Sequence, residues 1–382
     1  MRAALIFLCF LAQLNAALGQ TDTITTDAQH AVILDYQTGA VLWAKDADTP
    51  MVPASMTKMM TAQVVLEEVR RGRLALTDRV PVSEDAWRRG GWSSGGSTMG
   101  LAIGDEPTVA ELLRGVIVLS GNDACIALAE AVAGSESEFA KLMNETAKRL
   151  GLSSAHFDNA TGLYTDTQRI SARDLARLAA FQIDNFPDLY ELYQLPEYGW
   201  RGIVQPNRNP LLGAFPGADG LKTGHLQASG YGLTASAVRG KDRRIIVING
   251  LESENGRRDA ALGLMGAAFT AFESRSQSAG DVVLSQAAIW LGETTEVDVV
   301  LGESIEVVAS ASEFEEMTSE LVLASPLVAP IAAGQHIGQL EISIPNRKRI
   351  VVPVVAKQSV EALDFWGRAR RGLGGMFGGG AD

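Results

Sequence analysis

The chain has 382 residues, 46% apolar and 20% charged, a balance that excludes a disordered protein and leaves room for about two or three domains. Its formal net charge is −12 and no basic block runs through its body, which argues against nucleic acid as a partner. Four scattered histidines, with no HExxH or CxxC spacing, give no expectation of a metal or a cofactor.

Arg2 precedes an apolar run over residues 3–14 that is too short to span a bilayer, and Ala17-Leu18-Gly19 then offers small residues at the positions a signal peptidase reads. A leader over residues 1–19 is expected, with cleavage near Gly19–Gln20 and export of the remainder. Cys9 would leave with it, so Cys125 alone can form no internal disulfide and the fold rests on its core. Residues 31–34 and 41–44 flank the turn-like Asp35-Tyr36-Gln37-Thr38-Gly39, a strand–turn–strand pattern. Pro50 and Pro53 end that extended stretch, and residues 55–70 suit a helix with Met56, Met59, Met60, Val64 and Leu66 inward. Residues 108–119 and 124–133 read as buried helices separated by Ser120-Gly121-Asn122, and Ser171-Ala172-Arg173-Asp174 reads as a capping-box start for another helix.

After Leu221 the period changes. Residues 221–238 and 243–251 look like two adjacent strands joined by Gly240-Lys241-Asp242, followed by a helix carrying Leu262, Leu264, Met265 and Phe269. Residues 274–280 turn small and polar, as in a linker, and short β-rich runs follow at 297–301, 304–308, 320–323, 340–344 and 350–355. Val360, Leu363, Trp366, Ala369 and Leu373 then recur at roughly helical spacing, with Arg368, Arg370 and Arg371 elsewhere around the axis. That pattern suits an interfacial helix on an anionic membrane, although the glycines from Gly372 to Gly380 weaken it. The expected class is α+β: an antiparallel sheet with helices over residues 24–275, a small all-β domain over 281–356, and a membrane-associating tail over 357–382.

Ser55-Met56-Thr57-Lys58 is the single Ser-x-x-Lys of the chain, and on a helix it puts hydroxyl and amine on one face, one turn apart. A serine hydroxyl is a weak nucleophile until a neighbouring base takes its proton. A lysine can be that base only when neutral, which requires lowering its pKa by roughly 3, about 4 kcal/mol, through burial and a nearby second cation. Taken alone the motif more often describes a capping serine beside a solvated lysine. Ser120-Gly121-Asn122 can project a hydroxyl and an amide into a cleft, or cap the next helix as an Asx-type turn. Lys222-Thr223-Gly224 opens a strand with a cation, a hydroxyl and a residue that allows close backbone approach.

In this order the three elements match the Ser-x-x-Lys, Ser-x-Asn, Lys-Thr-Gly set of penicillin-binding proteins and serine β-lactamases. Pro53-Ala54-Ser55-Met56-Thr57-Lys58, Ser120-Gly121-Asn122-Asp123-Ala124-Cys125, Gln205-Pro206-Asn207-Arg208-Asn209 and Asp219-Gly220-Leu221-Lys222-Thr223-Gly224-His225 resemble the low-molecular-mass D-alanyl-D-alanine carboxypeptidases. The resemblance covers most of the chain and is strongest over about residues 28–260. It implies a β-lactamase-like (transpeptidase-like) catalytic domain followed by a β-rich domain, and no cofactor. It implies Ser55 as nucleophile, Lys58 as its base, and Ser120 and Asn122 as proton shuttle and amide holder. Lys222 and Thr223 would meet the terminal carboxylate beside Gly224, and the backbone N–H groups of Ser55 and His225 would form an oxyanion hole. Arg257, next to Arg258, stands where the family places a carboxylate-binding arginine. The implied partners are a peptidoglycan peptide ending in D-Ala-D-Ala and β-lactams as acylating inhibitors, at the outer face of a bacterial cytoplasmic membrane.

Several features compete with this reading. Gly91-Trp92-Ser93-Ser94-Gly95 fits the G-x-S-x-G pattern, but no apolar strand precedes it, so a surface loop near the cleft mouth is expected. Ser253-Glu254-Asn255 is a second Ser-x-Asn, placed after Lys-Thr-Gly and so out of order. No Glu-x-x-Leu-Asn run precedes Lys222, which disfavours a fast β-lactamase and leaves slow turnover of penicillins open. An endopeptidase, a weak transpeptidase or a non-catalytic peptidoglycan-binding protein would carry the same motifs. Cys125 is expected as a buried helix residue near the site, and His225 as a neighbour rather than a base.

Overall fold

The computed structural model of the chain describes residues 24–367 and the backbone of Arg2–Ala3. The expected cleavage site and the tail residues from Arg368 onward lie outside the described residues. The chain falls into two compact units, one ending at Thr270 and the other beginning at Ala271.

The first unit is built on a five-stranded antiparallel sheet in the order Val41–Lys45, His30–Asp35, Asp242–Leu251, Gly230–Arg239, Ala218–Leu226. Its central strands are apolar almost throughout, because helices cover them; Ile245, Val247, Val32 and Leu34 are buried in one core with the helical side chains. Ala218–Leu226 is the edge strand, so Lys222-Thr223-Gly224 lies on a border of the sheet. The stretch read as one strand from 221 to 238 is two strands. Residues 227–229 turn the chain, and Leu226 faces Gly230 in the ladder, with Gly230 in the left-handed region at φ +65°. Among Gln227-Ala228-Ser229 only the adjoining glycine signals a turn, and the apolar alternation on either side masks it.

The helix Lys58–Arg70 begins after a 3-10 turn over Ala54–Thr57, so Ser55 sits before the helix proper rather than at its cap. Its whole first two turns are buried, which is why Met56, Met59 and Met60 are accompanied inward by Lys58, Thr61 and Gln63. Val109–Ile117 starts with a capping box from Thr108 and Glu111, and Asn122–Ala133 starts at the Ser-x-Asn element itself. Ser171 caps Ala172–Asn185 by accepting from the Asp174 N–H, but Asp174 does not complete the box. Its carboxylate accepts instead from the Ser154 N–H and hydroxyl, at 2.9 and 2.6 Å.

The second unit is β-rich, as expected. Ser285–Trp290, Glu296–Leu301, Ile350–Ala356, His336–Ser343 and Thr318–Leu323 form a curled sheet, with the short Leu327–Val328 paired in parallel on Ser285–Trp290. The residues read as a linker are partly a strand: Glu273–Gln277 pairs with Ile305–Ala309, and the first unit closes at Thr270 rather than at 275. Small polar residues suit an edge ribbon with one face in solvent, and composition alone does not separate that from a linker. Over residues 360–364 the helical run expected from Val360 is not formed. Val360 is buried and bridges Ile331, Ala362 bridges Gly292, and a helical turn begins only at Phe365.

Candidate active site

Ser55 lies at the point where three segments press together. Ala54 has φ +49°, a left-handed conformation that a residue with a side chain adopts only when its surroundings hold it there. Two glycines make that possible. A Cβ on Gly162 (φ +82°) would stand 2.0 Å from the Ala54 carbonyl oxygen, and one on Gly224 would stand 2.7 Å from the Pro53 carbonyl oxygen. The edge strand and the loop at Thr161-Gly162 therefore close on the Pro53–Ser55 backbone from two directions.

Lys58 Nζ is 2.9 Å from Ser55 Oγ and donates to the Thr161 carbonyl at 2.5 Å. The lysine is fully buried, and burial, helped by the Arg208 charge, lowers its pKa to about 8. One amine hydrogen held by Thr161 fixes the rotation of the head group, so the neutral amine presents its lone pair to the serine. The Thr161 carbonyl is itself held by an Asx-type turn, in which Asn159 Oδ1 accepts from Thr161 N, Thr161 Oγ1 and Gly162 N.

Ser120 has φ +60°, and its buried hydroxyl has no hydrogen-bond partner among the described residues. Such an orphan is costly unless something else bonds to it. Asn122 opens its helix with its amide toward Gly96, where a Cβ would lie 2.8 Å from Nδ2, and its N–H donates to the Ser97 carbonyl at 2.8 Å. Asp123, to which the sequence assigns no role, ties this element to its neighbour. Its buried carboxylate accepts from the Thr98 hydroxyl and from the N–H groups of Met99, Gly100 and Leu101, at 2.6 to 3.0 Å, clamping the 98–101 loop to Ser-x-Asn.

Lys222 is buried on the edge strand, and burial together with the charges of Lys58 and Arg208 pushes its pKa well down. Its Nζ donates to the Thr223 carbonyl at 3.2 Å. Thr223 is buried beside it, and Gly224 is the position at which the strand touches Pro53 and Met56. His225 is exposed and stacks on Tyr231, with ring centroids 3.9 Å apart, and the Arg257 guanidinium lies 5.5 Å from the same Tyr231 ring. Arg257 is buried, donates to Glu254 at 2.8 Å, and leaves Nε without a partner among the described residues. Burial depresses its pKa.

The three motifs thus converge, while the decoys separate from them. Ser93 sits in a 3-10 turn over Trp92–Ser94 preceded by the helix Glu84–Gly90, so the strand-to-helix elbow of G-x-S-x-G is absent there. Asn255 lies within Glu254–Thr270. Cys125 is fully buried, with its thiol pKa pushed up to about 12, and its electrostatic coupling to Lys58 and Lys222 marks it as a neighbour of the site. Arg208 carries no motif of its own in the sequence beyond the Gln205-Pro206-Asn207-Arg208-Asn209 stretch. Its guanidinium donates to Ser97 Oγ and its charge reaches both lysines.

Fold and site together define a peptidase of the penicillin-binding-protein class. A profile of the D-alanyl-D-alanine carboxypeptidases matches residues 16–253, a second profile, for the C-terminal domain of penicillin-binding protein 5, matches residues 272–362, and the chain belongs to the D-alanyl-D-alanine carboxypeptidase family. It is 36% identical over 366 residues to the D-alanyl-D-alanine carboxypeptidase DacC of Escherichia coli K12, covering 95% of this chain and 92% of that one. Its fold superposes on penicillin-binding protein 5 of Haemophilus influenzae with a TM-score of 0.74 at 34% identity, over 88% of this chain and 98% of that one. A mutant of the Streptomyces K15 DD-transpeptidase aligns with a TM-score of 0.59 at 29% identity, over 64% of this chain and 98% of that one.

Proposed function

We propose that this chain is a serine-type D-Ala-D-Ala carboxypeptidase that removes the terminal D-Ala of peptidoglycan pentapeptides through an acyl-enzyme on Ser55. The observation that carries the reading is the buried Lys58 amine, with a pKa of about 8, at 2.9 Å from the Ser55 hydroxyl. Neutral Lys58 takes the hydroxyl proton as Ser55 Oγ adds to the penultimate D-Ala carbonyl carbon. Collapse breaks the amide C–N bond, and the leaving amine takes a proton relayed by Ser120. Water then adds to the ester carbonyl, and the acyl–oxygen bond breaks to return Ser55. Asn122 holds the substrate amide, while backbone N–H groups of Ser55 and His225 receive the oxyanion. Lys222, Thr223 and Arg257 meet the terminal carboxylate, beside the close approach that Gly224 permits. Two features support this assignment: the unpartnered Arg257 Nε, and a buried lysine that an anion would stabilise in its charged form.

In this reading residues 24–270 are the catalytic domain and the β-rich unit follows it. The chain works outside the bacterial cytoplasmic membrane, with a leader over 1–19 and a membrane-seeking tail, and β-lactams acylate the same serine. The test incubates wild type and Ser55→Ala with a fluorescent penicillin and then with a D-Ala-D-Ala pentapeptide. Covalent label and D-Ala release are expected from the wild type alone; equal labelling of both proteins overturns the assignment of Ser55. Likeness to a DD-transpeptidase favours one second reading, acyl transfer to an amine, and label with cross-linked product in place of free acid would establish it.

A further inference from the structure

The second unit keeps most of its large apolar side chains inward, and the outward-facing ones at one end stand out. Trp290 is 62% exposed and Val328 44%, although both are large and apolar. The sequence separates them by a long stretch, but the parallel pairing of Ser285–Trp290 with Leu327–Val328 makes them direct partners. In each strand the preceding residue (Ile289 or Leu327) is buried, so Trp290 and Val328 share the outer face of the sheet. A third stretch of chain arrives beside them. The Leu363 N–H donates to the Leu291 carbonyl at 2.8 Å and Ala362 bridges Gly292, running antiparallel, which brings Phe365 and Trp366 toward the Trp290 end. Phe365 is 76% and Trp366 71% exposed, with rings in edge contact at 5.5 Å.

Four exposed apolar side chains from three segments, at the edge strand of a sheet, form a surface that water disfavours and that an edge alone does not need. We infer that this face of the β-rich unit docks on an anionic lipid bilayer, its aromatic rings seated at the headgroup level. Two features on the chain select lipid over a protein partner. Tryptophan with phenylalanine is the composition of a membrane-interface belt, one end of the ring apolar and the other able to hydrogen-bond. In the sequence Arg368, Arg370 and Arg371 follow Trp366 within five residues, a cationic run in an otherwise acidic chain and complementary to anionic headgroups. The inference rests on the envelope location proposed above but not on the acyl-enzyme chemistry. It also differs from a tail anchor, because Trp290 and Val328 belong to the folded domain.

The test uses the chain without residues 1–19 and sedimentation with vesicles of phosphatidylethanolamine and phosphatidylglycerol. Wild type, Trp290→Ser/Val328→Ser, a truncation lacking residues 368–382, and the combination are compared. The expected result is a roughly tenfold loss of partition for the double substitution with the tail intact, and residual binding of the truncation that the double substitution removes. In parallel, bromine-labelled lipid should quench a component of the tryptophan emission that disappears in Trp290→Phe. Fluorescent penicillin labelling and an unchanged melting profile serve as folding controls. Partition equal to wild type in the double substitution overturns the inference. So does loss of a concentration-dependent dimer without loss of vesicle binding, which would assign the face to a second copy of the chain.

Discussion

At the scale of single residues, the proton on Lys58 governs both reactivity and stability. With Lys58 as the base proposed above, acylation would require the neutral amine, so the rate of penicillin labelling is expected to rise between pH 6 and pH 9 with a midpoint of about 8, and stopped-time labelling measures it. The stability effect has the same direction. The folded pKa lies below the ordinary lysine value, so between about pH 8 and pH 10.5 the unfolded chain binds more protons, and stability rises with pH across that window. Below it the buried charge is a cost of about 3 kcal/mol. In Lys58→Met this part of the pH dependence should vanish together with labelling, which thermal melts at pH 7 and pH 9.5 would reveal; an unchanged slope counts against the buried-charge account. Ser55 and Lys58 were legible because side-chain chemistry is written in the sequence. The Thr161 carbonyl that orients the amine was not, since a backbone acceptor leaves no residue type to read. Asn159-Ala160-Thr161-Gly162 carried the one available signal, an Asx-turn composition ending in a glycine.

At the scale of elements, the site depends on how closely strands, loops and turns approach one another. Gly224→Ala would set a methyl 2.7 Å from the Pro53 carbonyl oxygen and 3.2 Å from Met56 Cγ, pushing the edge strand off the serine turn. A fall in acylation rate of about 10- to 100-fold with the fold retained is expected, since misplacement by about 1 Å has that consequence. Asp123→Asn tests the clamp on the 98–101 loop: it replaces an acceptor-only group bonded to three backbone N–H groups of that loop, and to the Ala124 N–H, with one that can accept at a single oxygen. A loss of about 2–4 kcal/mol in urea denaturation is expected, along with a raised KM for the pentapeptide at an unchanged pH midpoint. A shifted midpoint would instead place Asp123 in the proton chemistry. The helices and the outer limits of the sheet were legible from their apolar period. The turn at 227–229 and the strand at Glu273–Gln277 were not, because one lacks strong turn residues and the other is polar on most of its length.

At the scale of the whole molecule, each unit buries its own apolar cluster: Val32, Met59, Leu112 and Phe139 in the first, and Val299, Ile337, Leu340 and Val354 in the second. A chain cut to residues 24–270 is therefore expected to fold and to be labelled by penicillin within about threefold of the full chain's rate. Calorimetry of the full chain should then resolve into two transitions, one of them matching the fragment. A fragment that fails to label, or a single transition, would show that the units fold as one. Only the order of motifs and the β-rich composition announced this division. The boundary at Thr270 depends on which residues a polar ribbon pairs with, and the pairing of Glu273–Gln277 with Ile305–Ala309 is not written in either segment alone.

The edge strand carries one more consequence. Asn209 Nδ2 donates to the Gly220 carbonyl at 2.7 Å, which closes the start of the Ala218–Leu226 border, while Lys222-Thr223-Gly224 continues along it. If this border receives a peptide backbone, as proposed above, it is equally receptive to a strand from a misfolded neighbour. On that reading a self-association hazard lies at the place proposed for substrate binding. Occupancy by peptide or β-lactam would then act as a solubilising cover for the molecule as well as the start of a reaction.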